Sequence, residues 1–309
     1  MKPEVKILIC DSIHGDGIKK LEQAGFTVDV KTDISGEDLK KTVSKYDALV
    51  VRSRTKITGE VINEGKRLKA VARAGVGLDN VDLEAAKKRN VAVFNSPEAS
   101  SEAVAELTIG LMLSLARNVP FADSTMKEGK WVKNQLEGWQ LESKTLGLLG
   151  LGNIGRRVAK IAKGFGMNIL ITKRTPLDSK LLAELEGEFV PLKELLRRSD
   201  IVTIHVPLTP ETNRMIGREE IQLMKNSTYL INTARGQIVD EKALLDALKS
   251  GKLAGAALDV YDTEPPKDLE LVKMPNVVCT PHIGGQTVEA QRKAATIVAE
   301  KIIAHLKKG

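Results

Sequence analysis

The sequence predicts an α/β protein made of two doubly wound parallel-sheet domains. Short Val- and Ile-rich runs alternate with helix-like segments almost from end to end. Such alternation, with continuously apolar strands, makes parallel sheets covered on both faces. The 309 residues suit two domains, at about 100–200 residues each. A glycine-rich turn, Gly150 to Gly155, also stands between one apolar run and an amphipathic helix, as in nucleotide-binding sheets.

The first third offers strands at Val5–Cys10, Phe26–Val30, Asp47–Arg52, Lys69–Arg73 and Val91–Phe94, with helical patterns near 15–24, 36–44, 58–65 and 81–89. Pro97 in the segment 96–101 then breaks the pattern after a strand, marking a linker. The next helix, Glu102–Arg117, is apolar almost all round. It is therefore buried, either in a core or in a subunit interface. Residues 118–144 hold both tryptophans and no clear period, and read as an arm. Strands follow at 145–149, 168–172, 201–204, 228–232, 254–258 and 276–280, with helices near 153–165, 191–198 and 240–250. That makes two sheets of five to six strands. No strand follows the last helix, 287–307. It either closes the second domain or crosses back to the first.

Composition excludes several classes. Hydrophobic residues at 42% and charged residues at 28% are near the globular average, which removes disorder, collagen and coiled coil. Aromatics at 3% leave Leu, Ile, Val and Ala to fill the core. The net charge of +7 comes without a basic block or aromatic-basic interleave, so no nucleic-acid footprint is indicated. It is either a solvated basic surface or, in part, a basic cleft for an anionic substrate. The longest apolar stretch, Leu107–Ala116, is broken by Thr108, Gly110 and Ser114, short of the ~18–20 residues of a membrane span. Val5–Cys10 is too short for a signal peptide. Cys10 and Cys279 read as buried reduced thiols of a cytoplasmic protein. No spacing suggests a metal site.

The chemistry gathers at strand ends. Gly150-Leu151-Gly152-Asn153-Ile154-Gly155 follows a strand and opens a helix, the context in which GxGxxG binds a dinucleotide. Gly150 permits the tight turn, Gly152 the approach of the pyrophosphate, and Gly155 close helix–strand packing. An acid is expected to end the next strand, for the ribose hydroxyls. Lys173 and Arg174 stand there instead, with no carboxylate before Asp178. They would attract a 2′-phosphate, which favours NADP; otherwise NAD binds through Thr172 or Thr175. Further along come His205-Val206-Pro207, Thr233-Ala234-Arg235, Asp259, Glu264, and Pro281-His282-Ile283-Gly284-Gly285. Ligands of open parallel sheets bind outside such carboxyl ends. Arg235 offers a fork for a carboxylate, His282 has the side-chain type suited to proton transfer near neutrality, and Glu264 would support the imidazolium. His205 reads equally as structural or cofactor-lining. His14 and His305 lie outside these clusters.

At these residues the chain resembles the D-isomer-specific 2-hydroxyacid dehydrogenases, through GLGNIG, His205-Val206-Pro207-Leu208-Thr209, Asn232-Thr233-Ala234-Arg235-Gly236, Leu258-Asp259-Val260, Thr263-Glu264-Pro265 and Thr280-Pro281-His282-Ile283-Gly284. The resemblance implies a catalytic set of Arg235, Glu264 and His282, with Asp259 on the nicotinamide carboxamide. The cofactor would also be lined by Thr233, Ala234, Gly284 and Gly285. It implies a discontinuous flavodoxin-like substrate domain, 1–98 plus 285–309, with a Rossmann domain, 99–284, inserted into it and a cleft between. The helix and arm at 101–144 would make a homodimer.

Within the family the first domain is most similar to phosphoglycerate dehydrogenases, through Val51-Arg52-Ser53-Arg54-Thr55-Lys56 and Arg73-Ala74-Gly75-Val76-Gly77-Leu78-Asp79-Asn80-Val81-Asp82. Arg52 and Arg54, with Ser53, would pair with a phosphate. The turn at Ala74, Gly75 and Val76 would cradle a carboxylate with backbone N–H groups. The expected reaction is hydride transfer between C2 of a D-2-hydroxy acid, foremost 3-phosphoglycerate, and NAD or NADP. The alternative is an NADP-dependent glyoxylate or hydroxypyruvate reductase. A non-enzymatic NAD(H)-responsive corepressor stays open because fold does not fix function. The C-terminal ACT domain of longer relatives is not expected after Gly309.

Overall fold

The computed structural model describes residues 4–175 and 179–307; Asp178 lies outside them. The chain divides into two compact units, residues 1–103 with 285–309 and residues 104–284. The division falls inside a helix, a few residues beyond the Pro97 linker.

The first unit contains β1 (Lys6–Ile9), α1 (Gly15–Gln23), β2 (Thr27–Val30), α2 (Gly36–Thr42), β3 (Ala48–Val51), α3 (Gly59–Glu64), β4 (Ala70–Arg73), α4 (Leu83–Lys88) and β5 (Ala92–Phe94). Its sheet is parallel throughout, in the order β2-β1-β3-β4-β5, the flavodoxin-like order. The central strands β1, β3 and β4 are apolar apart from Lys6 and Arg73 at their ends, because both faces are covered; the edge strand β2 carries Thr27 and Asp29. Leu8, Leu49, Val51 and Val71 pack on one side, and Ile7, Ile9, Val50 and Ala72 on the other. Side-chain oxygens of Ser35, Thr58 and Asp82 cap α2, α3 and α4, satisfying N–H groups that have no intrahelical partner.

The second unit begins within α5 (Ser101–Arg117) and continues through α6 (Val119–Lys127), β6 (Thr145–Leu149), α7 (Asn153–Gly164), β7 (Asn168–Thr172), α8 (Ser179–Leu185), β8 (Gly187–Phe189), α9 (Leu192–Arg198), β9 (Ile201–Ile204), α10 (Arg218–Leu223), β10 (Tyr229–Asn232), α11 (Glu241–Lys249), β11 (Gly255–Leu258) and β12 (Val277–Cys279). Its seven strands are all parallel and run in the order β12-β11-β10-β9-β6-β7-β8, so the strand order reverses between β6 and β9. That is the Rossmann switch point, where nucleotides bind. Again two layers sandwich the sheet: Leu149, Val202, Ile204 and Leu230 face one, and Leu146, Leu148, Ile169 and Ile201 the other. Cutting one of these fully buried Leu or Ile side chains to Ala would cost about 2–5 kcal/mol.

Three features differ from the sequence expectation. The sheet has seven strands because β8, Gly-Glu-Phe, is a short, exposed edge with no apolar run. The arm holds a helix, α6, whose apolar residues lie outward and so give no core period. Cys279 is only half-buried, whereas Cys10 is fully buried.

The apolar α5 packs Ala105, Ile109 and Met112 into the core of the second unit. The last helix, α12 (Val288–Lys307), returns to the first unit, placing Ala294, Val298 and Ile302 in its core. It approaches α1 so closely that a Cβ at Gly17 would lie 2.7 Å from the Ala295 carbonyl oxygen. Among the described residues no helix is long and apolar enough to cross a membrane.

Candidate active site

In the second unit, register aligns the strand ends. Thr172, Leu149, Ile204, Asn232, Leu258 and Cys279 pair in one row across the sheet. Lys173, Gly150, His205, Thr233, Asp259 and Thr280 therefore leave the sheet side by side. The sequence motifs meet because each begins one residue past its strand.

The glycine loop fits a dinucleotide. Gly150 has φ +95°, a conformation side chains disfavour, and a Cβ there would lie 2.7 Å from the His205 carbonyl oxygen. At Gly155 a Cβ would lie 2.3 Å from the Gly150 oxygen. These two glycines are fixed by packing. Gly152 differs: among the described residues, nothing beyond its chain neighbours and its own helix backbone comes within 4 Å of its Cβ position. It caps α7 without a side-chain hydrogen bond. The first N–H groups of a twelve-residue helix, at Asn153, Ile154 and Gly155, stand behind a backbone open to approach, a good seat for phosphate. Lys173 is half-buried and Arg174 exposed. Arg174 is close enough to Glu211 to help hold that carboxyl below its usual range, after the hydrogen bond from the Thr209 hydroxyl.

His205 lies beneath this loop. It is half-buried overall with Nδ1 enclosed, and desolvation pushes its imidazole down to about 3, so it stays neutral. Nε2 meets the Thr203 hydroxyl at 3.0 Å, while Nδ1 is buried with no partner among the described residues. The next two residues line the rim: a Val206 methyl lies against Gly150, and the Pro207 carbonyl accepts the Thr212 hydroxyl at 2.6 Å.

The expected histidine–glutamate pair is assembled from two loops. His282 Nδ1 is 2.6 Å from Glu264 Oε2, and Glu264 Oε1 accepts the Tyr261 N–H at 3.2 Å. Burial alone would raise the Glu264 carboxyl. The hydrogen bond and charge of His282, the Tyr261 N–H and the charge of Arg235 outweigh it and hold the carboxyl below its ordinary value. An ionised Glu264 accepts from Nδ1–H, leaving Nε2 to exchange a proton with a ligand. His282 has φ +53°, uncommon for a residue with a side chain, and is held there. Its N–H donates to the Asp259 carbonyl at 2.8 Å.

Asp259 accounts for the rest of that loop. Its carboxylate is 1% exposed and accepts the Thr280 hydroxyl at 2.6 Å, the Ile283 N–H at 2.8 Å and the Gly284 N–H at 2.9 Å. Both oxygens are thus engaged by the histidine loop. Arg235 is set by Asn232, whose amide bridges the Ala234 N–H at 3.0 Å and the Arg235 carbonyl at 2.9 Å. The next residue must be glycine, since a Cβ at Gly236 would lie 1.9 Å from the Tyr261 carbonyl carbon. Thr233 turns its hydroxyl inward to Thr108, at 3.0 Å.

The first unit has its own strand-end cluster. Asp11 is 3% exposed and accepts the Arg52 N–H at 2.5 Å, the Thr55 N–H at 3.2 Å and the Thr55 hydroxyl at 2.6 Å. Asn80 holds the Arg52 and Thr55 carbonyls at 2.7 and 2.6 Å. Ser53 is exposed at the loop tip. The turn after β4 narrows the expected cradle. Ala74 and Gly75 already donate their N–H groups to the Val51 and Arg73 carbonyls. Gly285 belongs to this unit, against Ser100.

Sequence reasoning missed Asp11, and it quoted Asn80 and Asn232 within motifs without giving either a role. Asp11 lies two residues past β1, Asn80 in the loop after β4 and Asn232 at the end of β10, and each acts on backbone groups of another segment or loop, which a side-chain motif does not reveal. His14 caps α1 by accepting the Asp16 N–H at 3.2 Å, and His305 packs edge-on against Phe94.

Residues 109–284 match the NAD binding domain of the D-isomer specific 2-hydroxyacid dehydrogenases. The chain is 51% identical over 300 residues to a D-3-phosphoglycerate dehydrogenase of Methanocaldococcus jannaschii, covering 96% of this chain and 57% of the relative. It spans little more than half the length of the phosphoglycerate dehydrogenases it matches. It is 47% identical over 273 residues to a hydroxypyruvate reductase of Thermotoga maritima, covering 87% of this chain and 88% of that one. Among solved structures, the TT0316 protein of Thermus thermophilus has a TM-score of 0.91 at 38% identity, covering 98% and 97% of the two chains. A glyoxylate reductase of Paecilomyes thermophila has 0.90 at 31%, covering 99% and 97%.

Proposed function

The chain belongs to the D-isomer specific 2-hydroxyacid dehydrogenases, and from that premise we propose that it oxidises 3-phosphoglycerate at C2, reversibly, as a D-3-phosphoglycerate dehydrogenase at the entry to serine synthesis. The carrying observation is the 2.6 Å pair of His282 and Glu264 in the same unit as Arg235 and the glycine loop. Bound nicotinamide would supply hydride acceptance and donation at C4. His282 Nε2 takes the C2 hydroxyl proton in oxidation and returns it in reduction. Glu264 keeps the ring oriented and favours its charged form. Arg235 holds the carboxylate and stabilises negative charge developing on the C2 oxygen. In the first unit, taken by itself, we assign the Arg52-Ser53-Arg54 loop to a phosphate and the Val76 N–H to a carboxylate.

The Thermotoga hydroxypyruvate reductase supports a second reading, because the match covers 88% of that protein: reduction of glyoxylate or hydroxypyruvate. Initial rates on 3-phosphoglycerate, D-glycerate, glyoxylate, hydroxypyruvate and lactate with NAD(H) and NADP(H) separate the two. His282→Ala should lower kcat by about 10²–10⁴-fold. No turnover on any acid, with cofactor bound, would leave the corepressor reading.

Three finer assignments accompany this one. Lys173 and Arg174 support acceptance of NADP beside NAD. The arm supports a homodimer: Val119, Phe121, Met126 and Trp131 are about half exposed or more, Trp131 at 79%. A cavity of about 430 Å³ lined in part by Met126, Trp131, Val132 and Leu136 adjoins them. Apolar surface of this extent marks a contact site. The unpaired thiols of Cys10 and Cys279 support a cytoplasmic location.

A further inference from the structure

The two arginines of the Arg52-Ser53-Arg54 loop are two residues apart, yet the structure gives them different surroundings. The guanidinium of Arg54 is drawn back over the sheet edge. Its Nη2 donates to the Cys10 carbonyl at 2.6 Å, to the Thr32 carbonyl and to the Thr55 hydroxyl at 3.1 Å. The Asp11 carboxylate lies 3.1 Å from the same nitrogen, and Nη1 reaches the Ile34 carbonyl at 3.3 Å. Among the described residues, the Arg52 guanidinium makes two hydrogen-bond contacts, both at the outer limit, to Ser12 O at 3.5 Å and Gln286 Oε1 at 3.4 Å. Its backbone, by contrast, is held on both sides, the N–H by Asp11 and the carbonyl by Asn80 and Arg73.

We infer that Arg54 is a positioning residue rather than a second phosphate ligand: paired with buried Asp11, it locks the loop that presents the Arg52 guanidinium to the phosphate. The inference rests on the phosphate assignment above and divides it between two residues. A buried carboxylate loses much if its partner is removed, and Asp11 is the group that fixes the Arg52 N–H. Arg54 thus acts on phosphate affinity through Arg52. Lys at position 54 keeps a charge and three donors for the same carbonyls and carboxylate.

The test is a double-mutant cycle on the full chain, read as the preference (ratio of kcat/KM) for 3-phosphoglycerate over D-glycerate. Arg52→Ala should cut the preference by about 10–100-fold, as expected for loss of a charge-assisted contact. Arg54→Ala alone should cut it by about 3–10-fold, through KM with kcat little changed, and Arg54→Lys should restore it. In the Arg52→Ala background, Arg54→Ala should add nothing. Equal factors in both backgrounds would make Arg54 a direct ligand and overturn the inference. So would a lowered Tm without a change of preference, or failure of Arg54→Lys to rescue. If Arg52→Ala leaves the preference intact, the phosphate assignment itself falls and takes this one with it.

Discussion

Nδ1 of His282 lies 2.6 Å from Oε2 of Glu264, although the two residues sit on different loops eighteen positions apart. The contact supplies orientation and charge together. Glu264→Gln keeps the shape and removes the charge that favours the imidazolium. We expect kcat to fall about 10²–10⁴-fold and the acid limb of kcat/KM for oxidation to move to lower pH. A pH–rate profile checks both. An unmoved limb with normal kcat would reduce Glu264 to a structural contact.

Lys173 and Arg174 follow β7 where a ribose-binding acid is expected. Replacing both with Ala should raise KM for NADP about 10-fold or more, the scale of losing a charge-assisted contact, and change KM for NAD by less than about 2-fold. Initial rates with each cofactor decide. A strong NAD preference in the wild type, unchanged in the variant, would reduce both to surface charges.

Much of the fold was legible because a parallel strand covered on both faces is mostly apolar along its length. Ile7, Leu8 and Ile9 serve opposite layers of one sheet and so form an unbroken run. The edge strand β8 has one covered flank and no such run. The site was legible where chemistry dictates a side chain: a glycine at φ +95°, an imidazole, a guanidinium. It was not legible where a side chain serves the backbone of another loop. Asp11 and Asp259 both follow strands in sequence, yet only the folded chain shows the N–H groups they accept. Proximity in sequence also hid the difference between Arg52 and Arg54, which is set by carbonyls at residues 10, 32 and 34.

His205 makes stability depend on acidity. Burial pushes its folded-state value down to about 3, while an unfolded histidine titrates near ~6.5. Between these values the unfolded chain binds a proton that the folded chain does not. This contribution is therefore complete above about pH 6.5 and is lost progressively as pH falls toward 3. His205→Gln should remove that slope. Urea midpoints at several values between pH 7.5 and 4.5 should show the variant losing less stability than the wild type. A constant gap between the two proteins would show that the imidazole does not titrate this way.

The carboxylate of Asp259 engages three donors of the histidine loop and is almost fully buried. Asn at this position fits the space but offers one oxygen and turns an NH₂ toward an N–H or hydroxyl. An unsatisfied buried donor costs about 1–3 kcal/mol, which for a unit of this size lowers Tm by about 2–10 °C. The same change loosens the turn that holds His282 at φ +53°. A displacement of about 1 Å at a catalytic group can cost about 10²-fold, so kcat should fall together with Tm. Thr280→Val removes only one of the three donors and leaves the two backbone contacts, and should show a smaller loss of both. The comparison separates two roles. If Asp259→Asn keeps the wild-type Tm but loses activity and nicotinamide affinity, Asp259 acts on the cofactor. A joint loss of Tm and kcat, graded from Thr280→Val to Asp259→Asn, shows that the residue works by holding the histidine loop.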